Sequence, residues 1–120
     1  QRPNLDETPA TLFWDPMRKF HLALAVADLA RSVAVYSARL GAAPVVVVPG
    51  EYALWRIDGL NLSIRQCAGT GLRHLGWEDP DAPCFSSDAD SNGMVWERFS
   101  ARQQAQEINE IWPGTDYQPS

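Results

Sequence analysis

The stretch FHLALAVADLARSVAVYSARLG, residues 20–41, reads as a strand that runs directly into an amphipathic helix. Its first seven residues alternate, so Phe20, Leu22, Leu24 and Val26 share one strand face while His21, Ala23 and Ala25 share the other. Asp28 suits an N-cap, because its carboxylate accepts from the free N–H groups of a first helical turn. Leu29, Val33, Tyr36 and Leu40 then recur at helical spacing and form one apolar stripe. Gly41 ends the helix, where a left-handed residue costs little. The helix therefore covers the larger face of the strand. His21, followed on its face by the small Ala23 and Ala25, points to the opposite side, and the rest of the chain has to be read for what meets it there.

With 120 residues, 45% apolar and 21% charged, the chain has the makeup of one globular domain with a modest core. No apolar run approaches bilayer length, so a membrane is not an expected partner. A net charge of −5 and a pI near 4.8 disfavour nucleic acid as well. Cys67 and Cys84 do not make a disulfide framework, which fits a reduced, cytoplasmic setting.

Residues 1–18 carry Pro3, Pro9 and Pro16 and read as an N-terminal arm, with Phe13, Trp14 and Met17 apolar enough to pack against the domain. Residues 19–120 read as a single domain. After the opening strand and helix, APVVVV (43–48) is a β-branched run. YALWRI (52–57) and LNLSIR (60–65) flank Asp58-Gly59, a strong hairpin turn. In the second of these strands Leu60, Leu62 and Ile64 face the helix, while Asn61, Ser63 and Arg65 face the side of His21. Residues 19–68 thus form a complete βαβββ module.

A linker at 69–71 leads to LRHLGW (72–77), a new opening strand carrying a second histidine, His74. Residues 79–92 are rich in Asp, Ser and Pro. Asp88, Asp90 and Asn92 alternate as in a calcium loop, but the closing glutamate is missing, so the stretch reads as a turn. GMVWERF (93–99) is a strand. Ser100 and Gln103 form a capping box for a C-terminal helix over 100–112, with Ala101, Ala105, Ile108 and Trp112 as its buried stripe and Pro113-Gly114 as its stop.

Three segments together carry a family resemblance: HLALAVADLARSVAVYSARLGA, RHLGWE and DSNGMVWERF. In that order the chain resembles the vicinal oxygen chelate superfamily, which includes glyoxalase I, bleomycin-resistance proteins and extradiol dioxygenases. The resemblance implies an α+β fold in which two βαβββ modules build one cupped mixed sheet around a divalent metal. It also implies that His21, His74 and Glu97 are the metal ligands, on Fe, Mn or Zn. Two imidazoles and one carboxylate leave coordination positions open for substrate. Glyoxalase-type members have a further glutamate where this chain has NLSIRQ, which argues against glyoxalase chemistry. LNLSIR is closer to the arsenic–carbon lyases, and Cys84 sits roughly where that branch places a thiol. Its paired cysteine is absent, since residue 83 is Pro83.

The chain departs from the family in its second half. His74 and Glu97 are 23 positions apart, whereas a full module needs roughly 40 residues between them. The second module, 69–99, is expected to lack its helix and one strand. The C-terminal helix then becomes the expected cover for the back of the second module, within the chain or on a partner, and a homodimer the expected assembly.

Two functions remain open from the sequence. One is a metal-dependent enzyme, lyase- or dioxygenase-like, acting on a small oxygen-rich or organometallic substrate, with Arg65, Tyr52, Ser63 and Cys84 on the substrate side. A guanidinium fork there suits carboxylate or phosphonate groups. The other is a metal-free protein that sequesters a flat cationic ligand by stacking on some of its five tryptophans. In that reading Glu97 is a surface carboxylate paired with Arg98 or Arg102.

Overall fold

The computed structural model describes residues 14–119. Strand β1 (Lys19–Val26) leads into α1 (Leu29–Leu40), followed by β2 (Val46–Val48), β3 (Tyr52–Ile57) and β4 (Leu60–Gln66). Asp28 caps α1 by accepting from Arg31 N at 3.0 Å, and Gly41 closes it at φ 67°. Strand β4 returns beside β1 in parallel register, with His21 opposite Asn61 and Ala23 opposite Ser63. That register puts Leu22, Leu24, Leu62, Ile64, Ala53 and Trp55 together under Leu29, Val33 and Tyr36 of α1. The opposite, inner face carries His21, Asn61, Ser63 and Arg65, and the β3 residues paired with them. Strand β2 reaches only Val46–Val48, shorter than the expected 43–48.

The second half supplies β5 (Gly71–Glu78), β6 (Ser86–Ala89) and β7 (Val95–Phe99). The seven strands form one mixed sheet in the order β2-β3-β4-β1-β5-β7-β6, and the fold is α+β. Strand β7 runs parallel to β5 as β4 does to β1, and β6 pairs antiparallel on its far side as β3 does on β4. The second half therefore repeats the first without a helix and without an outermost strand, as its length requires. Asp90 organises the turn between β6 and β7, accepting from Asn92 N, Met94 N and Trp96 Nε1.

Without a covering helix, the outer face of the second half is an aromatic surface. Phe20, Trp77 and Trp96 pack edge to face there, Trp14 lies 5.1 Å from Trp77, and the Arg18 guanidinium sits 4.0 Å above the Trp77 ring. The described end of the arm thus crosses the place a second helix would occupy. Met17 stays exposed, and Phe13 lies outside the described residues.

Helix α2 (Ala101–Ile111) begins with the expected capping box: Gln103 N donates to Ser100 Oγ, and Ser100 N donates to Gln103 Oε1. Its position corrects the expectation that it covers the back of the second module. Ala105 and Ile108 pack on Tyr52 and Leu54 of the first module's inner face, and Trp112 lies 4.8 Å from the Tyr52 ring. The physical reason is the larger apolar area offered there by Tyr52 and Leu54, joined by Tyr117 from the chain beyond the helix. Among the described residues, no helix is long and apolar enough to cross a membrane.

At Gly76 on β5 the neighbouring backbone leaves no room for a side chain. A Cβ built there would stand 2.2 Å from the Glu97 carbonyl oxygen and 3.0 Å from its nitrogen, both fixed backbone atoms. Gly76→Ala is therefore expected to push β7 off β5 and lower stability by about 1–3 kcal/mol, measured as a shift in the urea unfolding midpoint. An unchanged midpoint would show that the strands tolerate the methyl.

Candidate metal centre

Three strands deliver the site. His21 on β1 and Glu97 on β7 lie opposite the same residue of β5, Gly76, so they stand two strands apart on one row of the inner face. At about 4.8 Å per strand their backbones are separated by about 10 Å. Any side chain at position 76 would stand between them. With glycine there, His21 Nε2 and Glu97 Oε1 approach to 4.0 Å. His74, two residues earlier on β5, reaches the same space, its Nε2 lying 3.1 Å from His21 Nε2 and 2.9 Å from Glu97 Oε1.

The three donor atoms form a group that could hold a metal ion. Nitrogen and oxygen donors about 2.0–2.2 Å from a shared tetrahedral ion lie about 3.3–3.5 Å from one another. The edges observed here, 2.9, 3.1 and 4.0 Å, bracket that value. Two imidazoles with one carboxylate are a donor set suited to Zn, Fe or Mn, so the residues present fit a divalent ion.

A buried polar network fixes the His21 ring. His21 Nδ1 donates to Asn61 Oδ1 at 2.8 Å, which leaves Nε2 as the lone-pair nitrogen facing His74 and Glu97. Asn61 Nδ2 donates in turn to Glu78 Oε1 and Gln104 Oε1, both at 2.8 Å, and Arg56 grips Glu78 with two 2.8 Å hydrogen bonds. Burial pushes the Glu78 carboxyl up, but the Arg56 fork and the Asn61 amide outweigh it and hold its pKa below the ordinary value. Burial also dominates at His21 and, helped by the neighbouring imidazole, holds it below 6.5 against the opposing pull of Asn61. A neutral His21 is the form that ligates.

A cavity of about 80 Å³ opens between the inner face and α2. His21, His74 and Glu97 line it together with Tyr52, Ser63 and Arg65, so six of the seven site residues expected from the sequence converge. The seventh, Cys84, is exposed in a separate groove with Pro83, Gln103 and Gln106. Burial raises the Tyr52 phenol well above its usual pKa and keeps it protonated. Arg98 is committed to Asp79 at 3.0 Å, which leaves His74 as the partner of Glu97.

Sequence reading did not single out Arg73, Glu107 or Gln104, all of which line the cavity, or Asn61 as the anchor of His21. The alternation of LNLSIR already placed Asn61 on the correct face. Glu107 depends on where α2 docks; it is exposed overall, but its carboxyl borders the cavity, where burial and then Glu97 raise its pKa. Arg73 depends on a β-bulge. Ala23 pairs with His74 but Leu24 with Leu72, so Arg73 is the extra residue.

No family model matches the chain, and no curated protein does. Among solved structures, the fold is similar to a hypothetical protein from Staphylococcus aureus, with a TM-score of 0.53 and 10% identity. That match covers 70% of this chain and 34% of the other, so this chain spans about a third of that protein's length. It is also similar to an NAD-dependent benzaldehyde dehydrogenase from Legionella pneumophila, with a TM-score of 0.49 and 13% identity over 68% of this chain and 97% of that one. At such identities the first likeness concerns the fold alone, and the second carries no argument.

The depressed His21 pKa has a signed consequence. Above 6.5 the imidazole is neutral in folded and unfolded chains alike. As pH falls below 6.5 the unfolded chain takes up a proton before the folded one, so stability is lost from there down to the folded pKa. In the metal-free protein the His21 ring is expected to titrate below 6.5 in a proton NMR series. A midpoint at or above the free-histidine value would contradict the burial argument.

Proposed function

We propose that this chain is a metal-dependent enzyme of the vicinal oxygen chelate type. In this reading His21, His74 and Glu97 hold a divalent ion, Fe, Mn or Zn, and the substrate is small and oxygen-rich or organometallic. The observation that carries it is the convergence of three donor atoms from β1, β5 and β7 to within 2.9–4.0 Å. When bound, such an ion supplies Lewis acidity to adjacent substrate oxygens, the common ground of lyase- and dioxygenase-like chemistry.

The chain's own groups have separable tasks. Asn61 holds the His21 ring in its ligating tautomer, and Glu78 with Arg56 holds Asn61. The protonated Tyr52 phenol is a hydrogen-bond donor at the cavity wall. Ile108 and Ile111 of α2, with Trp112 at its C-cap, give the cavity an apolar side.

Metal-free sequestration of a flat cation has less support. Trp55 is fully buried in the core, and Trp14, Trp77 and Trp96 lie on the outer face, which leaves Trp112 as the one tryptophan at the cavity. A cavity of about 80 Å³ is also small for such a ligand. The homodimer belongs to the same proposal, with a changed role. One chain supplies all three donors, so a partner would serve to cover the aromatic outer face rather than to complete the ligand set.

Protein purified without a histidine tag is expected to carry close to one equivalent of transition metal by elemental analysis, and His74→Ala to carry none. Asn61→Ala, which keeps all three donors, should weaken zinc binding about 10–100-fold. Wild-type protein that neither retains nor takes up metal, with His74→Ala indistinguishable from it, would refute the metal reading.

A further inference from the structure

Two guanidinium groups that make no ion pair among the described residues stand at the same cavity. Arg65 comes from β4 and Arg73 from β5, on either side of β1. Between them β1 carries Ala23 and Ala25 on its inner face, both with short side chains. Among the described residues neither guanidinium makes a salt bridge or a hydrogen bond, whereas Arg56 and Arg98 are each committed to a carboxylate. Arg65 lies 5.2 Å from the Trp112 ring, a contact that steadies a guanidinium without using its N–H donors.

The bulge on β5 is what makes the pair. In an unbroken strand Arg73 and His74 would point to opposite faces. The extra residue between the His74 and Leu72 pairings lets both line the cavity. Re-aiming a side chain in this way is a known use of β-bulges beside functional sites.

Charge then restricts the ligand. The lining carries two arginines, Arg65 and Arg73, and two carboxylates, Glu97 and Glu107. These cancel, so a divalent ion on His21, His74 and Glu97 leaves an excess of two positive charges in a chain whose overall charge is −5. A neutral or cationic ligand would leave that excess uncompensated, whereas an anion would offset it. Size restricts it further, because about 80 Å³ is roughly half of a cavity that holds benzene.

We propose that Arg65 and Arg73 form an anion subsite, and that the substrate is a small oxoacid anion of a few non-hydrogen atoms. Its charged carboxylate or phosphonate end lies between the two guanidinium groups, and its adjacent oxygen faces the His21–His74–Glu97 group. This rests on the metal reading for the second end of the ligand; the first end depends on the arginines alone.

The test uses the full chain loaded with zinc, titrated with lactate and with its neutral analogue lactamide and followed by NMR shift perturbation. Lactate is expected to bind at least tenfold more tightly. Arg65→Gln and Arg73→Gln should each reduce that preference about tenfold while zinc loading stays at the wild-type level. Arg73 is exposed, so its variant is expected to fold normally. A preference that survives in both variants, with zinc still bound, overturns the subsite and spares the ligand set. If wild type takes no zinc, the ligand set falls, and the subsite is decided by inorganic phosphate titrated into the metal-free protein. Binding weakened by both substitutions supports the subsite; no binding, or binding unaltered by them, overturns it.

Discussion

The hydrogen bond from His21 Nδ1 to Asn61 Oδ1 joins the fold to the site. It exists because β4 returns parallel to β1 in a register that sets residue 61 beside residue 21. That register is imposed from the other face, where Leu60, Leu62 and Ile64 must meet Leu22, Leu24 and α1. A slip of one residue would expose the core and turn Asn61 away from His21 in the same step. Packing on the outer face thus selects the geometry of the polar inner face. The cost of burying Asn61, Glu78 and Gln104 is met by mutual hydrogen bonds, with the charge of Glu78 compensated by the Arg56 fork.

The second half shows which strands the candidate donor group depends on. His74 and Glu97 need β5 and β7, and β7 needs one neighbour, β6, to complete its pairing. The missing helix and outer strand contribute no ligand. Their loss exposes apolar surface on the outer face, and Trp14 and Arg18 cover part of it over Trp77. The inner face meanwhile gains α2, which meets the first module through Tyr52, Leu54, Ala105 and Ile108. The cover has in effect moved from the outside of one half to the inside of the other, where it also shapes the cavity.

Much of this was legible in the sequence, because alternation and capping are local. Residues 20–41 specified β1, the Asp28 cap, α1 and its stop, and LNLSIR specified which of its residues would share a face with His21. The absent helix and strand followed from the short His74–Glu97 spacing set against the two-module plan that the resemblance implied. What the sequence did not carry was tertiary. The apolar stripe of α2 was visible, but a stripe does not name the surface it meets, and that choice fell to Tyr52 and Leu54. Arg73 was hidden for a different reason, since period-two reading assigns neighbouring residues to opposite faces and a bulge is the exception it cannot foresee. Cys84 shows the converse failure: a position borrowed from a resemblance does not survive the loss of the elements that hold it, and the thiol lies outside the cavity.

Gly76 shows how little separates a scaffold from a site here. It sits opposite both His21 and Glu97, and its missing side chain does two things at once. It allows the β7 backbone to approach closely, and it clears the row through which an imidazole and a carboxylate two strands apart come within 4.0 Å. A larger residue would force the β7 backbone away from β5 and would also fill the gap between the donors. Sheet closure and ligand convergence are therefore one constraint at this position.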